Sequence, residues 1–75
     1  MTKLQKIRIK RNITQSKLAE RSGVSVRLIQ QYEQGVRRID GAKLETLCDL
    51  AAALNCRLED IIESRKIVTK LRAIK

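Results

Sequence analysis

Residues 14–35 read TQSKLAERSGVSVRLIQQYEQG, and this stretch decides the fold. Thr14 and Ser25 each precede a short segment with apolar residues at helical spacing. A hydroxyl oxygen at such a position accepts a hydrogen bond from a free N–H group in the first turn of a helix. The stretch therefore predicts two short helices, over residues 15–21 and 26–33, with a tight turn between them.

Small and apolar residues in the same stretch fix the angle between these two helices. Ala19 allows a close approach, and Gly23 can adopt the positive φ that a tight turn requires. Val24 and Ile29 are placed to fill the wedge between the helices, while Gly35 supplies the end of the second one. We expect the first turns and the outer face of the helix over residues 26–33 to remain open to a partner.

The segment before this stretch predicts a first helix over about residues 2–11. Leu4 and Ile7 lie on one side of it, and Lys3, Lys6 and Lys10 lie on the other. Asn12 is a plausible end, because asparagine tolerates the left-handed backbone better than most residues.

The segment after it predicts two more helices. Asp40 is placed to cap the fourth helix, whose apolar residues recur with a helical period: Leu44, Leu47, Ala51 and Leu54. Asn55 can end this helix, and a short fifth helix is predicted to contain Leu58, Ile61 and Ile62. The last eleven residues, RKIVTKLRAIK, remain ambiguous, since Ile67, Leu71 and Ile74 have helical spacing but KIVT is rich in β-branched residues.

The composition supports an all-α domain and disfavours an enzyme. The 75 residues are 43% apolar, with no Pro, Phe or Trp and with Tyr32 as the one aromatic residue, so an aliphatic core of packed helices is expected. Cys48 and Cys56 are expected to be small core residues. Without histidine they complete no metal site, and we predict no metal, no cofactor and no catalytic residue.

The composition also bears on the location of the protein. No apolar run approaches the ~20 residues that cross a bilayer, and the first residues do not resemble a signal peptide. We therefore expect a cytoplasmic protein without membrane contact.

The charge distribution indicates a polyanionic partner. The net charge is +9, with ten basic and two acidic residues in positions 1–39, two basic and six acidic in 40–63, and five basic and no acidic in 64–75. We expect one basic face to meet the polyanion. RNA is disfavoured, because readers of single strands rely on stacking aromatic side chains.

Three spaced blocks carry a family resemblance: Leu4 to Arg8, TQSKLAERSGVSVRLIQQYEQG at 14–35, and LCDLAAALNCRLEDII at 47–62. Together they resemble the Cro/XRE family of phage-type repressors. The resemblance implies a compact five-helix, lambda-repressor-like DNA-binding domain over residues 1–64. Its helix-turn-helix would span residues 15–34, whereas residues 65–75, read as a basic amphipathic C-terminal tail, lie outside the family pattern. The chain departs from the family pattern at Asn12, usually Gly, and at Arg57, usually a capping Ser or Thr.

The resemblance also implies roles for single residues. Val26, Arg27 and Gln31 occupy positions that usually face bases, and Gln30 is a lesser candidate. Their chemistry agrees, since Arg can bond guanine in two places, Gln can do so with adenine, and Val can contact a thymine methyl. Phosphate contacts are expected from Gln15, Lys10, Arg11, Arg37 and Arg38. Arg8 and Glu33 are expected to form a structural ion pair.

Two functional interpretations follow. The first is a sequence-specific regulator of transcription, and specifically a repressor, that binds an inverted repeat of double-stranded DNA as a homodimer. Its dimer interface is expected to include Ile61, Ile62, Ile67, Val68 and Leu71. The second is an antitoxin or another partner-binding module, in which the C-terminal tail docks a second protein and DNA binding is secondary. The tail itself could be a helix packed on the domain, a swapped strand or a contact with an anionic membrane.

Overall fold

The computed structural model describes residues 1–74 as an assembly of short helices. In chain order these are α1 (Lys3–Lys10), α2 (Gln15–Ser22), α3 (Val26–Gln34), a 3-10 turn (Ile39–Gly41), α4 (Leu44–Leu54), a second 3-10 turn (Leu58–Asp60) and α5 (Arg65–Ala73). These residues contain five α-helices and no β-strand, which confirms the predicted all-α fold. Among them, no helix combines the length and apolar character needed to cross a membrane.

The ends of α2 and α3 follow the predicted capping pattern. The hydroxyls of Thr14 and Ser25 each accept a hydrogen bond from the N–H group three residues further on, at 3.0 and 3.1 Å. Gly23 and Gly35 end the two helices with φ values of 76° and 77°. Because these interactions are local, the sequence alone was sufficient to predict them.

Two asparagines adopt the left-handed backbone expected of them. Asn12 has a φ of 59° shortly after α1, and Asn55 has a φ of 52° directly after α4. Asn12 therefore fills the place of the family's usual glycine at a modest conformational cost.

The predicted cap of α4 by Asp40 is wrong. Asp40 lies in the 3-10 turn at residues 39–41, and α4 begins only at Leu44. The Asp40 carboxylate instead accepts hydrogen bonds from the backbone N–H groups of Glu63 and Ser64, at 2.8 and 3.0 Å. Lys43 precedes α4, and no side chain caps that helix end.

The predicted fifth helix over Leu58, Ile61 and Ile62 is reduced to one 3-10 turn. A continuous α-helix would pair the N–H of Glu63 with the carbonyl of Glu59. The N–H of Glu63 is bonded to Asp40, and the Lys3 ammonium donates to the carbonyl of Glu59 at 3.1 Å. These two distant side chains satisfy the groups that would have extended the turn.

The ambiguous C-terminal segment forms helix α5 and not a strand. The Ser64 hydroxyl caps it by accepting a hydrogen bond from the N–H of Ile67 at 3.4 Å. Val68 and Leu71, one turn apart, pack against the hydrophobic core, and Arg72 donates to the carboxylate of Glu59. This bond to Glu59 raises the pKa of Arg72. The tail is thus attached to the rest of the chain.

One aliphatic core joins the helices. Its buried members are Leu4, Leu18, Val24, Ile29, Tyr32, Ile39, Leu47, Leu50, Ala51, Leu54, Ile61 and Ile62. The expectation of two core cysteines is wrong for Cys48, which is exposed because it lies on the side of α4 away from Leu47 and Leu50. Cys56 is partly buried, and this burial, followed by the negative charge of Asp60, raises the pKa of its thiol.

Candidate nucleic-acid interface

Helix α3 presents an open face that begins at its first residue. Val26, Arg27 and Gln30 are exposed, whereas Ile29 and Tyr32 are buried on the opposite side. Gln31 is half-buried. The described structure therefore places three of the four residues expected to read bases on the free surface of α3, and the fourth at its margin.

Glu33, near the end of α3, connects this helix to α1 and α2. Its carboxylate accepts hydrogen bonds from Arg8 Nε at 2.7 Å, Arg8 Nη2 at 3.0 Å and Gln15 Nε2 at 3.0 Å. A third Arg8 nitrogen, Nη1, donates to the carbonyl of Ile13 at 2.9 Å. The Glu33 side chain is 2% exposed, so the charge is buried but fully paired. This network fixes α3 relative to the two helices behind it.

Gln15 takes part in that network at the start of α2. One amide N–H is directed to Glu33, which leaves the second amide N–H and the amide oxygen for another partner. Gln15 is half-buried, so it combines a structural contact with a partly accessible polar group.

The cations expected to contact phosphates fall into two groups. Lys10, Arg37 and Arg38 are exposed, and Arg38 lies 4.0 Å from the carboxylate of Asp40. Arg11 is exposed as well, but its guanidinium also caps the C-terminus of α4. Its Nε donates to the carbonyl of Leu54 at 2.9 Å and its Nη2 to that of Asn55 at 3.2 Å. Arg11 therefore already bonds within the fold, and its contact with a phosphate stays a prediction.

A groove at the start of α4 was missed by the sequence prediction. It has a volume of about 360 Å³ and is lined by Leu28, Tyr32, Arg37, Arg38, Gly41, Ala42, Lys43 and Thr46. Three cations surround a helix N-terminus without a side-chain cap, an arrangement that favours an anion such as a phosphate. The signal in the sequence that could have revealed it is the recurrence of cations at Arg37, Arg38 and Lys43, just before the apolar residues of α4.

The residues expected at a dimer interface differ in how far they are exposed. Ile61 and Ile62 are 0% and 2% exposed, so the expectation that they form an interface is wrong: they belong to the core. Val68 and Leu71 are partly buried against the same core, and Ile67 is 37% exposed.

A family model described as helix-turn-helix matches residues 4–61, which is most of the chain. The chain belongs to the Cro/C1-type helix-turn-helix family. This confirms the resemblance that the sequence blocks indicated, and it makes the protein a DNA-binding regulator of the Cro/XRE type. Neither the curated proteins nor the solved structures gave a match to this helix-turn-helix protein.

Proposed function

We propose that this helix-turn-helix protein is a transcriptional repressor. It binds a short inverted repeat of double-stranded DNA as a homodimer, with the first turns of α3 in the major groove. The observation that supports this most is the exposed face of Val26, Arg27 and Gln30 on a helix held by the Glu33 network.

The side chains on this face differ in the bases they suit. Arg27 can donate two hydrogen bonds to the O6 and N7 atoms of guanine. Gln30 and Gln31 can each bond the N6 and N7 atoms of adenine, and Val26 offers apolar contact to a thymine methyl. Arg27 is the strongest candidate for a sequence-determining contact, since its side chain is long and exposed and its guanidinium can donate two hydrogen bonds at once.

A second set of side chains is proposed to contact the DNA phosphates on either side of the major groove. The groove at the start of α4 offers Arg37, Arg38 and Lys43 around free helix N–H groups. Gln15 contributes its remaining amide N–H, and Lys10 adds a further cation. These contacts carry affinity and orientation, whereas α3 carries the choice of sequence.

A homodimer follows from the small size of the reading surface. One α3 face covers only a few base pairs, and two faces on one side of the duplex must lie about 34 Å apart. Occupation of an inverted repeat within a promoter would exclude the transcription machinery, which gives repression. This function would place the protein in the cytoplasm with the chromosome.

Selection of bound sequences from random duplex DNA, repeated at two salt concentrations, tests the proposal. We expect enrichment of an inverted repeat whose half-sites are centred about one helical turn apart. Higher salt should lower the overall affinity and leave the enriched motif unchanged, because phosphate contacts release counterions while base contacts set the preference. Recovery of no motif would contradict sequence-specific regulation, and recovery of a single half-site would contradict the homodimer.

A further inference from the structure

Helix α5 has an outer face that combines apolar and basic side chains. Val68 and Leu71 pack on the core, whereas Ile67 is 37% exposed, and Ile74, the residue that follows the helix, is 71% exposed. Lys66 and Lys70 are exposed beside them, one helical turn apart. We call the residues Lys66, Ile67, Lys70 and Ile74 the basic face.

Helix α4 has an outer face of the opposite charge. Leu44 is 66% exposed, and Cys48 and Ala52 follow at four-residue spacing on the same exposed side. Glu45 and Asp49 are exposed beside them, again one turn apart. We call the residues Leu44, Glu45, Cys48, Asp49 and Ala52 the acidic face.

The charges on the two faces lack ion-pair partners in the described chain. Within residues 1–74, Glu45, Asp49, Lys66 and Lys70 form no ion pair, although Arg72 of α5 is paired with Glu59. Each face thus carries exposed apolar side chains and two like charges with the same spacing along a helix. Their charges are complementary to each other.

We propose that the basic face of one copy packs on the acidic face of a second copy, and that the reciprocal contact closes the dimer. This proposal rests on the homodimer of the proposed function and assigns its interface. Pairing of α4 with α4, or of α5 with α5, would bring like charges together around the apolar residues. The cross pairing neutralises both sets and covers Ile67, Ile74 and Leu44, and a two-fold axis generates it twice.

Reversal of the charges tests the pairing. The molar mass of the full chain is measured by sedimentation equilibrium up to millimolar concentration. The variants are Lys66→Glu/Lys70→Glu, Glu45→Lys/Asp49→Lys and the fourfold combination of these changes. Lys6→Glu/Arg21→Glu is the matched control, since both of these residues are exposed on other helices and the change in net charge equals that of the first variant. Circular dichroism checks that each variant retains its helices.

We expect each one-sided reversal to raise the dimer dissociation constant by at least ~10-fold, because attractions become repulsions at both contacts. The fourfold variant should recover the dimer, and the control should behave as the wild type. A wild-type dimer that neither reversal weakens, or that the fourfold variant fails to recover, would overturn this interface but leave the homodimer intact. A monomeric wild type would overturn both, and a mass that rises beyond two chains would contradict the closed pairing. A monomeric chain that co-purifies with a different protein would indicate that this partner binds α5. That result would also overturn the proposal.

Cys48 provides a second measurement without any substitution of the faces. It lies within the acidic face, whereas Cys56 lies partly buried beside Arg11 and Asp60 and serves as an internal reference. We expect alkylation of Cys48, relative to that of Cys56, to slow as the wild-type concentration rises through the dimer dissociation constant. The Lys66→Glu/Lys70→Glu variant should lose this dependence. An equal Cys48 rate at all wild-type concentrations in which the dimer is populated would contradict the assigned interface.

Discussion

Glu33 is a buried carboxylate whose charge is paired by side chains from two other helices. Three donors from Arg8 and Gln15 satisfy its carboxylate, and these donors come from two different helices. The network therefore does more than neutralise one charge, because it fixes the position of α3 relative to α1 and α2. The exposed residues of α3 owe their placement to this buried one.

Replacement of Glu33 by alanine should reveal that dependence. The change leaves the guanidinium of Arg8, 12% exposed in the side chain, without its buried partner, and we expect a loss of about 3–5 kcal/mol in the free energy of unfolding. Urea denaturation followed by circular dichroism measures the loss. The double variant Arg8→Met/Glu33→Leu should be clearly more stable than Glu33→Ala alone. If both variants were equally unstable, the network would contribute mainly through packing.

Arg27 is the residue at which sequence preference should be most sensitive. Arg27→Ala removes a candidate bidentate contact to guanine, and we expect a loss of about 1–3 kcal/mol per half-site of the selected sequence with a much smaller loss on unrelated DNA. Arg21→Ala removes an exposed arginine from the end of α2 and serves as the control. Kd values on both DNA sequences at fixed salt check this. An equal loss on the two sequences would assign Arg27 to a phosphate.

The helices differ in how far the sequence alone could predict them. The ends of α2 and α3 were predicted correctly because each cap lies within three residues of its partner. Asp40 and the 3-10 turn at residues 58–60 were mispredicted because their partners are distant in sequence. Asp40 binds N–H groups more than twenty residues away, and Lys3 reaches the carbonyl of Glu59 from the other end of the chain. Local propensity contains no information about such bonds.

The residues of the candidate DNA interface were also predictable from the sequence only where their surroundings are local. The open face of α3 followed from the motif, whereas the groove at the start of α4 depended on where that helix begins. Arg11 was expected to be a phosphate contact, because its charge is visible in the sequence while its bonds to the carbonyls of Leu54 and Asn55 are not.

Asp40 should therefore act on α5, and not on α4. Asp40→Ala leaves the N–H groups of Glu63 and Ser64 without their acceptor at the entry to α5, and we expect a loss of about 1–3 kcal/mol in the free energy of unfolding. Amide hydrogen exchange should rise most in residues 63–73, while α2 and α3 keep their relative protection. Glu20→Ala, an exposed change in α2, is the control. A selective loss of protection at the start of α4 would instead restore Asp40 as its cap.

The cations proposed for binding to DNA and those proposed for pairing of copies are different residues. The phosphate candidates Arg37, Arg38 and Lys43 line the groove at the start of α4, and Lys10 is the last residue of α1, whereas the basic face lies on and directly after α5. The proposed DNA contacts therefore involve fewer cations per copy than the net charge of +9 would suggest. The salt dependence of binding measures that number directly, since it reports the phosphates neutralised and not the net charge.

Substitutions of Lys43 and Arg57 distinguish the number of neutralised phosphates from the net charge of the protein. They flank opposite ends of α4, whose eleven residues span about 16 Å, and each carries one exposed positive charge. Lys43→Gln should reduce the magnitude of the slope of log K against log salt by about 0.9 per bound copy, or about 1.8 for the homodimer, because Lys43 lies in the groove assigned to a phosphate. Arg57→Gln lowers the net charge equally but should leave the slope unchanged, since Arg57 lies outside that groove. Titrations of the selected site at four or more salt concentrations check both slopes. Equal reductions would mean that long-range attraction by the total charge dominates, and an unchanged slope in Lys43→Gln would remove the start of α4 from the DNA interface.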